Sequence, residues 1–169
     1  CPYCKAVVNS GDFDWVLSEI TQADDYTLSH SMGHKQNNLQ LKIQQLHSGD
    51  PAFCVQKLED KASNAFLQHT VATALLNPAL ARRFMLEDAY QRLKTDIQSY
   101  SPILFNRLYL NDVSLISSWA ENEYDYLGFF VRKSFQRIEM KRNNPEDVEA
   151  IMDPVVRTIS ATIVLCRKR

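Results

Sequence analysis

The run Tyr124-Asp125-Tyr126-Leu127-Gly128-Phe129-Phe130-Val131-Arg132-Lys133-Ser134-Phe135-Gln136-Arg137-Ile138 decides the class of fold. Leu127, Phe129 and Val131 recur at every second position, with Gly128 and Phe130 between them. A period of two sends alternate side chains to opposite faces of a strand, whereas a helix repeats its apolar residues at three and four. A long strand is therefore predicted over 124–138. On its N-terminal side, 105–117 is rich in Leu, Val, Ile and Tyr and predicts a second strand, with Asn111-Asp112 as a bulge or tight turn. On its C-terminal side, Asn143-Asn144-Pro145-Glu146-Asp147 reads as a loop followed by a helical turn. A last strand is expected over 155–165, where Thr158, Ala161 and Val164 stand among β-branched neighbours.

Upstream the period changes. Val55, Leu58, Ala62, Phe66 and His69 fall three and four apart, the mark of one buried helical stripe over 52–76. Asn77-Pro78 reads as an N-cap with proline in the first turn. Leu80, Phe84, Leu93 and Ile97, with Ala89 or Tyr90, then extend a second helix to Tyr100, where Ser101-Pro102 ends it. Leu39, Ile43 and Leu46 predict a weaker amphipathic helix inside the polar segment 27–48, and Ser48-Gly49-Asp50-Pro51 breaks it. Near the start Ala6-Val7-Val8 favours a strand, Asn9-Ser10-Gly11 a turn, and 15–20 a strand or a short helix. Helices first and long antiparallel strands afterwards is the order of an α+β domain, with helices packed on one face of a sheet. No internal repeat interrupts it.

The chain has 169 residues, 45% hydrophobic and 23% charged, enough for one domain with a core of its own. Nineteen Lys and Arg against twenty Asp and Glu leave a net charge of −1, which excludes a nucleic-acid binder driven by bulk charge. No apolar run reaches the length of a membrane-spanning helix. The charge is uneven, however. Residues 1–60 carry four Lys and eight acids, while 130–169 carry nine Lys or Arg and five acids. That dipole suits an oriented approach to an anionic surface or acidic partner; its plain reading is two solvated faces of opposite sign.

Catalytic patterns are scarce. No Gly-x-Ser-x-Gly, His-Glu-x-x-His or glycine-rich phosphate loop occurs, and only four glycines are present in all. The adjacent acids Asp24-Asp25 and Glu87-Asp88 diverge on any regular element. His69 falls on a helical core stripe, and Tyr124 with Asp125 faces a pocket if their strand turns that edge toward the helices. Cys1-Pro2-Tyr3-Cys4 is either a redox dithiol or a zinc knuckle. A knuckle supplies two of four ligands. His30 and His34, one helical turn apart, supply the others, or two cysteines upstream of this chain do. Cys54 and Cys166 lie on core elements and read as small apolar residues.

The block Cys1-Pro-Tyr-Cys-Lys-Ala-Val-Val-Asn-Ser-Gly-Asp-Phe-Asp-Trp-Val-Leu-Ser-Glu-Ile-Thr-Gln22 resembles a junction in bacterial proteins of the inner-membrane translocase subunit 44-like family. There a zinc-ribbon knuckle feeds a strand of the form Trp-Val-Leu-Ser-x-Ile-x-Gln. Asp50-Pro51-Ala52-Phe53, Phe66-Leu67-Gln68, Leu80-Ala-Arg-Arg-Phe84 and Asn106-Arg107-Leu108 resemble later blocks of the same family. The resemblance implies a cone of the cystatin-like or nuclear-transport-factor-like kind, N-terminal helices covering a curved antiparallel sheet. It also implies a mainly non-enzymatic role at a membrane. Two departures stand out: one knuckle where a complete ribbon has two, and a Trp-Val-Leu-Ser strand that precedes the domain instead of finishing it. That strand either closes an earlier unit or pairs beside the C-terminal strand.

The expected organisation is a zinc-ribbon-like knuckle and strand over 1–26, a polar linker or helix over 27–49 and the α+β cone over 50–169, as a piece of a longer protein. The expected function is a non-enzymatic binding or scaffold domain of a membrane-associated protein at the bacterial inner membrane. It would bind a protein, peptide or anionic lipid, and no nucleic acid. Its anion contacts are expected from Arg132, Lys133, Arg137, Lys141, Arg142, Arg167, Lys168 and Arg169, and its zinc ligands from Cys1, Cys4, His30 and His34. The alternative is a small-molecule enzyme of isomerase or dehydratase type on the same cone. It requires a closed apolar cavity of a few hundred Å³ with a perturbed acid or histidine in it.

Overall fold

Five strands and three helices follow one another along the chain in the computed structural model, which describes residues 11, 14–22, 35–100, 102–144 and 147–169, with backbone alone at 22, 139–144, 147 and 148. β1 is Val16–Gln22, α1 Leu39–Gly49, α2 Val55–Ala74, α3 Glu87–Asp96, β2 Leu104–Glu121, β3 Tyr124–Asn144, β4 Asp147–Met152 and β5 Arg157–Lys168. The architecture is α+β: helices on one side of a curled antiparallel sheet ordered β1-β5-β3-β2, with β4 also on β3.

β3 is the spine. Along one edge it pairs with β2 over 124–138. Along the other it pairs first with β5, over 124–135, and then with β4, over 138–144. The alternation that announces it has a clear outcome, since Leu127, Phe129 and Val131 are all fully buried. Their neighbours across the sheet, Leu165, Ile163 and Ala161, line up with them in register and share the same core. α2 closes that core from above with Leu58, Ala62, Ala65 and Phe66.

Three irregularities in β2, between Phe105/Arg107, Leu110/Asp112 and Leu115/Ser117, bend the sheet. Each extra residue adds local twist, so a long two-stranded ribbon wraps around the helices instead of running flat. The second falls on the expected Asn111-Asp112 bulge. The tight β2–β3 turn holds Asn122 at φ 52, a left-handed conformation that asparagine tolerates better than most side chains.

Of the segment 15–20, all but Trp15 lies in strand β1, which pairs antiparallel with β5, Val16 opposite Cys166 and Gln22 opposite Ala161. Two expectations are corrected. The helix expected from Leu80 to Tyr100 is broken: short 3-10 turns at Pro78–Leu80 and Arg82–Phe84 precede α3. The cause is that Leu76 turns the chain at φ 52 and Met85 runs extended beside Leu17, where Leu86 N–H donates to the Leu17 carbonyl at 2.8 Å. The helical turn expected after Asn144 is instead strand β4, which pairs with the last stretch of β3, 138–144, beyond the reach of β5. None of the described helices is long and apolar enough to cross a membrane.

Candidate cation crevice between α2 and the sheet

Alternation along β3 continues past the core. After Leu127, Phe129 and Val131, the same face carries Lys133, Phe135 and Arg137, so a purely apolar floor becomes a cationic one toward the far end. Lys133 remains only 7% exposed. Its Nζ donates to Thr70 Oγ1 on α2 at 3.3 Å. It also lies 5.0 Å from the ring centre of Phe66 and 5.6 Å from that of Phe135. Arg137 approaches the same Phe135 ring, its guanidinium carbon 5.3 Å from the centre. The Arg137 Nε is buried and has no hydrogen-bond partner among the described residues.

These groups border a crevice of about 120 Å³, walled by α2 through Phe66, His69 and Thr70, by β2 through Phe105 and by β5 through Ile159. No carboxylate lines it among the described residues. The electrostatics follow from that. Burial, reinforced by the neighbouring Arg137 charge, pushes the Lys133 ammonium down to about 8. Burial, with Lys133 adding repulsion, pushes the His69 imidazole down to about 4, so His69 is neutral at physiological pH. Outside the crevice wall, Asp153 is held below the usual carboxylate range by the Val155 N–H and then by Arg157, with a weaker pull from Arg137. Its oxygens accept from Val155 N–H and from Arg157 Nε, each at 3.0 Å.

The other end of β3 carries its cations differently. Arg167 donates to Asp50 at 2.6 Å and lies over the Trp15 ring at 4.8 Å. That bond, and then one from the Ala52 N–H, holds Asp50 below the usual carboxylate range. Lys168 lies 3.7 Å from Glu123, Arg169 Nε lies 3.7 Å from Asp125, and Arg169 also donates to the Asn122 carbonyl. A wider cleft of about 350 Å³ opens there, bordered by Asp125, Trp119, Lys42 and Arg167. Asp125 thus faces a pocket, already answered by Arg169, while Tyr124 is not among that cleft's lining residues.

The eight cations expected at an anionic surface are distributed accordingly. Lys133 and Arg137 meet in the crevice, and Arg132 projects from the opposite face over Phe130. Arg167, Lys168 and Arg169 gather at the other end, nine residues along β3 from Lys133 (roughly 30 Å). Lys141 and Arg142 lie on β3 with only their backbone described. Cys1, Cys4, His30 and His34 lie outside the described residues, as does the 6–8 run. Among the described residues no three His, Cys, Asp or Glu side chains come together as a metal site. Cys54 and Cys166 are free thiols, and burial pushes Cys166 above the usual thiol range.

The sequence reading of cations misses two features. Lys133 is a core residue, a consequence of strict alternation continued from Val131 that the pattern itself contains. The participation of Thr70 and His69 depends on how α2 crosses the sheet, and no sequence spacing contains it. No family model, curated protein or solved structure matches this chain.

Proposed function

We propose that the chain is a non-enzymatic binding domain that receives an anionic group of its partner at the Arg137 end of β3. The observation that carries this reading is Lys133, a cation 7% exposed in a crevice without a carboxylate among the described residues. A charge removed from water without a counter-charge is unfavourable, and an incoming anion offsets that cost. An acid built into the fold would serve equally well, and at the opposite end of the strand acids do so.

The resemblance to the translocase subunit 44-like family adds the setting: a membrane-associated domain of a bacterial inner-membrane protein, with anionic lipid as the partner and acidic protein or peptide as the other carriers of the same charge. Zinc bound by Cys1, Cys4, His30 and His34 belongs to the same proposal. Elemental analysis should find about one equivalent, lost when both histidines become alanine; retained zinc would place other ligands on the ion. The isomerase or dehydratase reading draws support from His69, a perturbed histidine that borders both the crevice and a second pocket of about 260 Å³ whose wall also holds Glu19 and Asp96.

Co-sedimentation with phosphatidylglycerol vesicles, against phosphatidylcholine vesicles, tests the lipid partner. Binding to the anionic vesicles alone, weakened by high salt and by Arg137→Met, is the expected result. Equal recovery with both vesicle types, or binding indifferent to salt, removes lipid as the partner.

A further inference from the structure

We infer that the crevice is a binding site for a small organic monocarboxylate whose apolar body is about the size of one ring, its carboxylate held between Lys133 Nζ and Arg137 Nε. The inference rests on reading this end of β3 as the anion-binding end, and names the ligand.

Three observations define the ligand. The donors come first. Lys133 has three N–H donors and one polar partner among the described residues, the Thr70 hydroxyl. Arg137 Nε, on the same face of β3 and one alternate position past Phe135, is buried and has no hydrogen-bond partner among the described residues. Both cations approach the ring of Phe135, at 5.6 and 5.3 Å from its centre, and both border the crevice. Donors converging on an apolar hollow fix the orientation of a polar head while the hollow holds its body.

Size comes second. The crevice measures about 120 Å³ and is walled by Phe66, Phe105, Phe135, Ile103 and Ile159. A dry cavity of about 150 Å³ in another protein is known to take up benzene. The crevice is smaller than that and partly open, so one ring or a short branched chain is the most it takes, and a long acyl chain does not fit.

Charge comes third. The groups facing Lys133 are His69 and Thr70 from α2 and Arg137 from its own strand. The residues reaching the crevice from β2 and β5, Phe105 and Ile159, carry no charge. Arg137 is attracted in part by Asp153, which Arg157 binds directly. The crevice therefore lacks about one negative charge, which a carboxylate supplies and a phosphate dianion exceeds. Neutral His69 completes the wall as a hydrogen-bonding group that adds no second positive charge.

Benzoate, with benzamide as its uncharged isostere and acetate as its head without a body, tests the inference in the full chain. Titration calorimetry at pH 8 in two buffers of different ionisation heat should show benzoate binding at least tenfold tighter than benzamide or acetate. It should also show net proton uptake, because Lys133, whose charged form is disfavoured in the free protein, gains charge beside the carboxylate. Lys133→Met and Arg137→Met should each weaken benzoate at least tenfold with an unchanged circular-dichroism spectrum. Absence of benzoate binding, equal binding of benzamide, or benzoate binding without proton uptake would overturn the inference. Proton uptake is read in the unaltered protein, so the test survives a variant that fails to fold. Anionic vesicles that bind while benzoate does not would overturn the small-molecule site and leave the anion-binding reading standing. Benzoate that binds while vesicles do not would do the reverse for the lipid partner.

Discussion

At the Tyr124 end of β3, Arg167 meets Asp50, Lys168 meets Glu123 and Arg169 meets Asp125. At the Arg137 end, Lys133 and Arg137 border a crevice with no described carboxylate in its wall. Both groups are basic in sequence, one on β3 itself and the other at the end of β5 that pairs with the start of β3. The difference teaches that a basic segment is informative only after its charges have been matched with their counter-charges. Matched cations serve the fold, tying the C-terminal strand to the end of α1 through Asp50. Unmatched and buried cations make the fold less stable, and a protein that keeps them has a use for the charge.

The contrast can be broken most forcefully at Lys133. Its position below the ordinary lysine value means that folding disfavours its charged form, by about 3 kcal/mol at neutral pH if the whole shift is realised. Lys133→Met keeps the stem against Phe66 and Phe135 and removes the charge, so it should raise the thermal midpoint by several degrees, read by differential scanning calorimetry. The same group gives a pH signature. Its folded value, about 8, is below its unfolded one, so the penalty is complete below pH 8 and disappears as pH rises from about 8 toward 10.5. Over that window the wild-type protein should gain stability relative to Lys133→Met in urea titrations.

His69 gives the next effect, of opposite pH sense to a paired histidine. Its folded value of about 4 lies below its unfolded 6.5, so no penalty exists above pH 6.5 and it grows as pH falls to 4. Unfolding free energies from urea titrations should fall over that interval by up to about 3 kcal/mol, and His69→Gln should flatten the decline.

The matched end should answer in the other direction and by less. Asp50→Asn removes the carboxylate that Arg167 binds and should lower the thermal midpoint, by less than Lys133→Met raises it. Arg169→Ala, whose side chain is half exposed, should cost below about 1 kcal/mol, within reach of careful denaturant titration.

Much of this architecture is legible in the residues. β3 declares itself because Leu127, Phe129 and Val131 are separated by two, and α2 because Leu58, Ala62 and Phe66 are separated by four. The break before α3 is hidden, because a leucine at φ 52 carries no sign that it will turn the chain. β4 is hidden because Val148, Ala150 and Met152 alternate over only six residues, directly after the turn-like Asn143-Asn144-Pro145. The cations of the crevice are readable as residue types. Their lack of counter-charge is not, since Arg167 finds its acid 117 residues away while Lys133 and Arg137 find none in the crevice wall. Such pairing belongs to the folded register, and local sequence holds no record of it.

The central claim is that Lys133 is a buried cation awaiting an anion. Heteronuclear NMR titration of its Nζ tests this most directly. A midpoint near 8 in the free protein, moving upward when benzoate is added, is the predicted result. A midpoint at the ordinary lysine value of about 10.5, unmoved by benzoate, would contradict it.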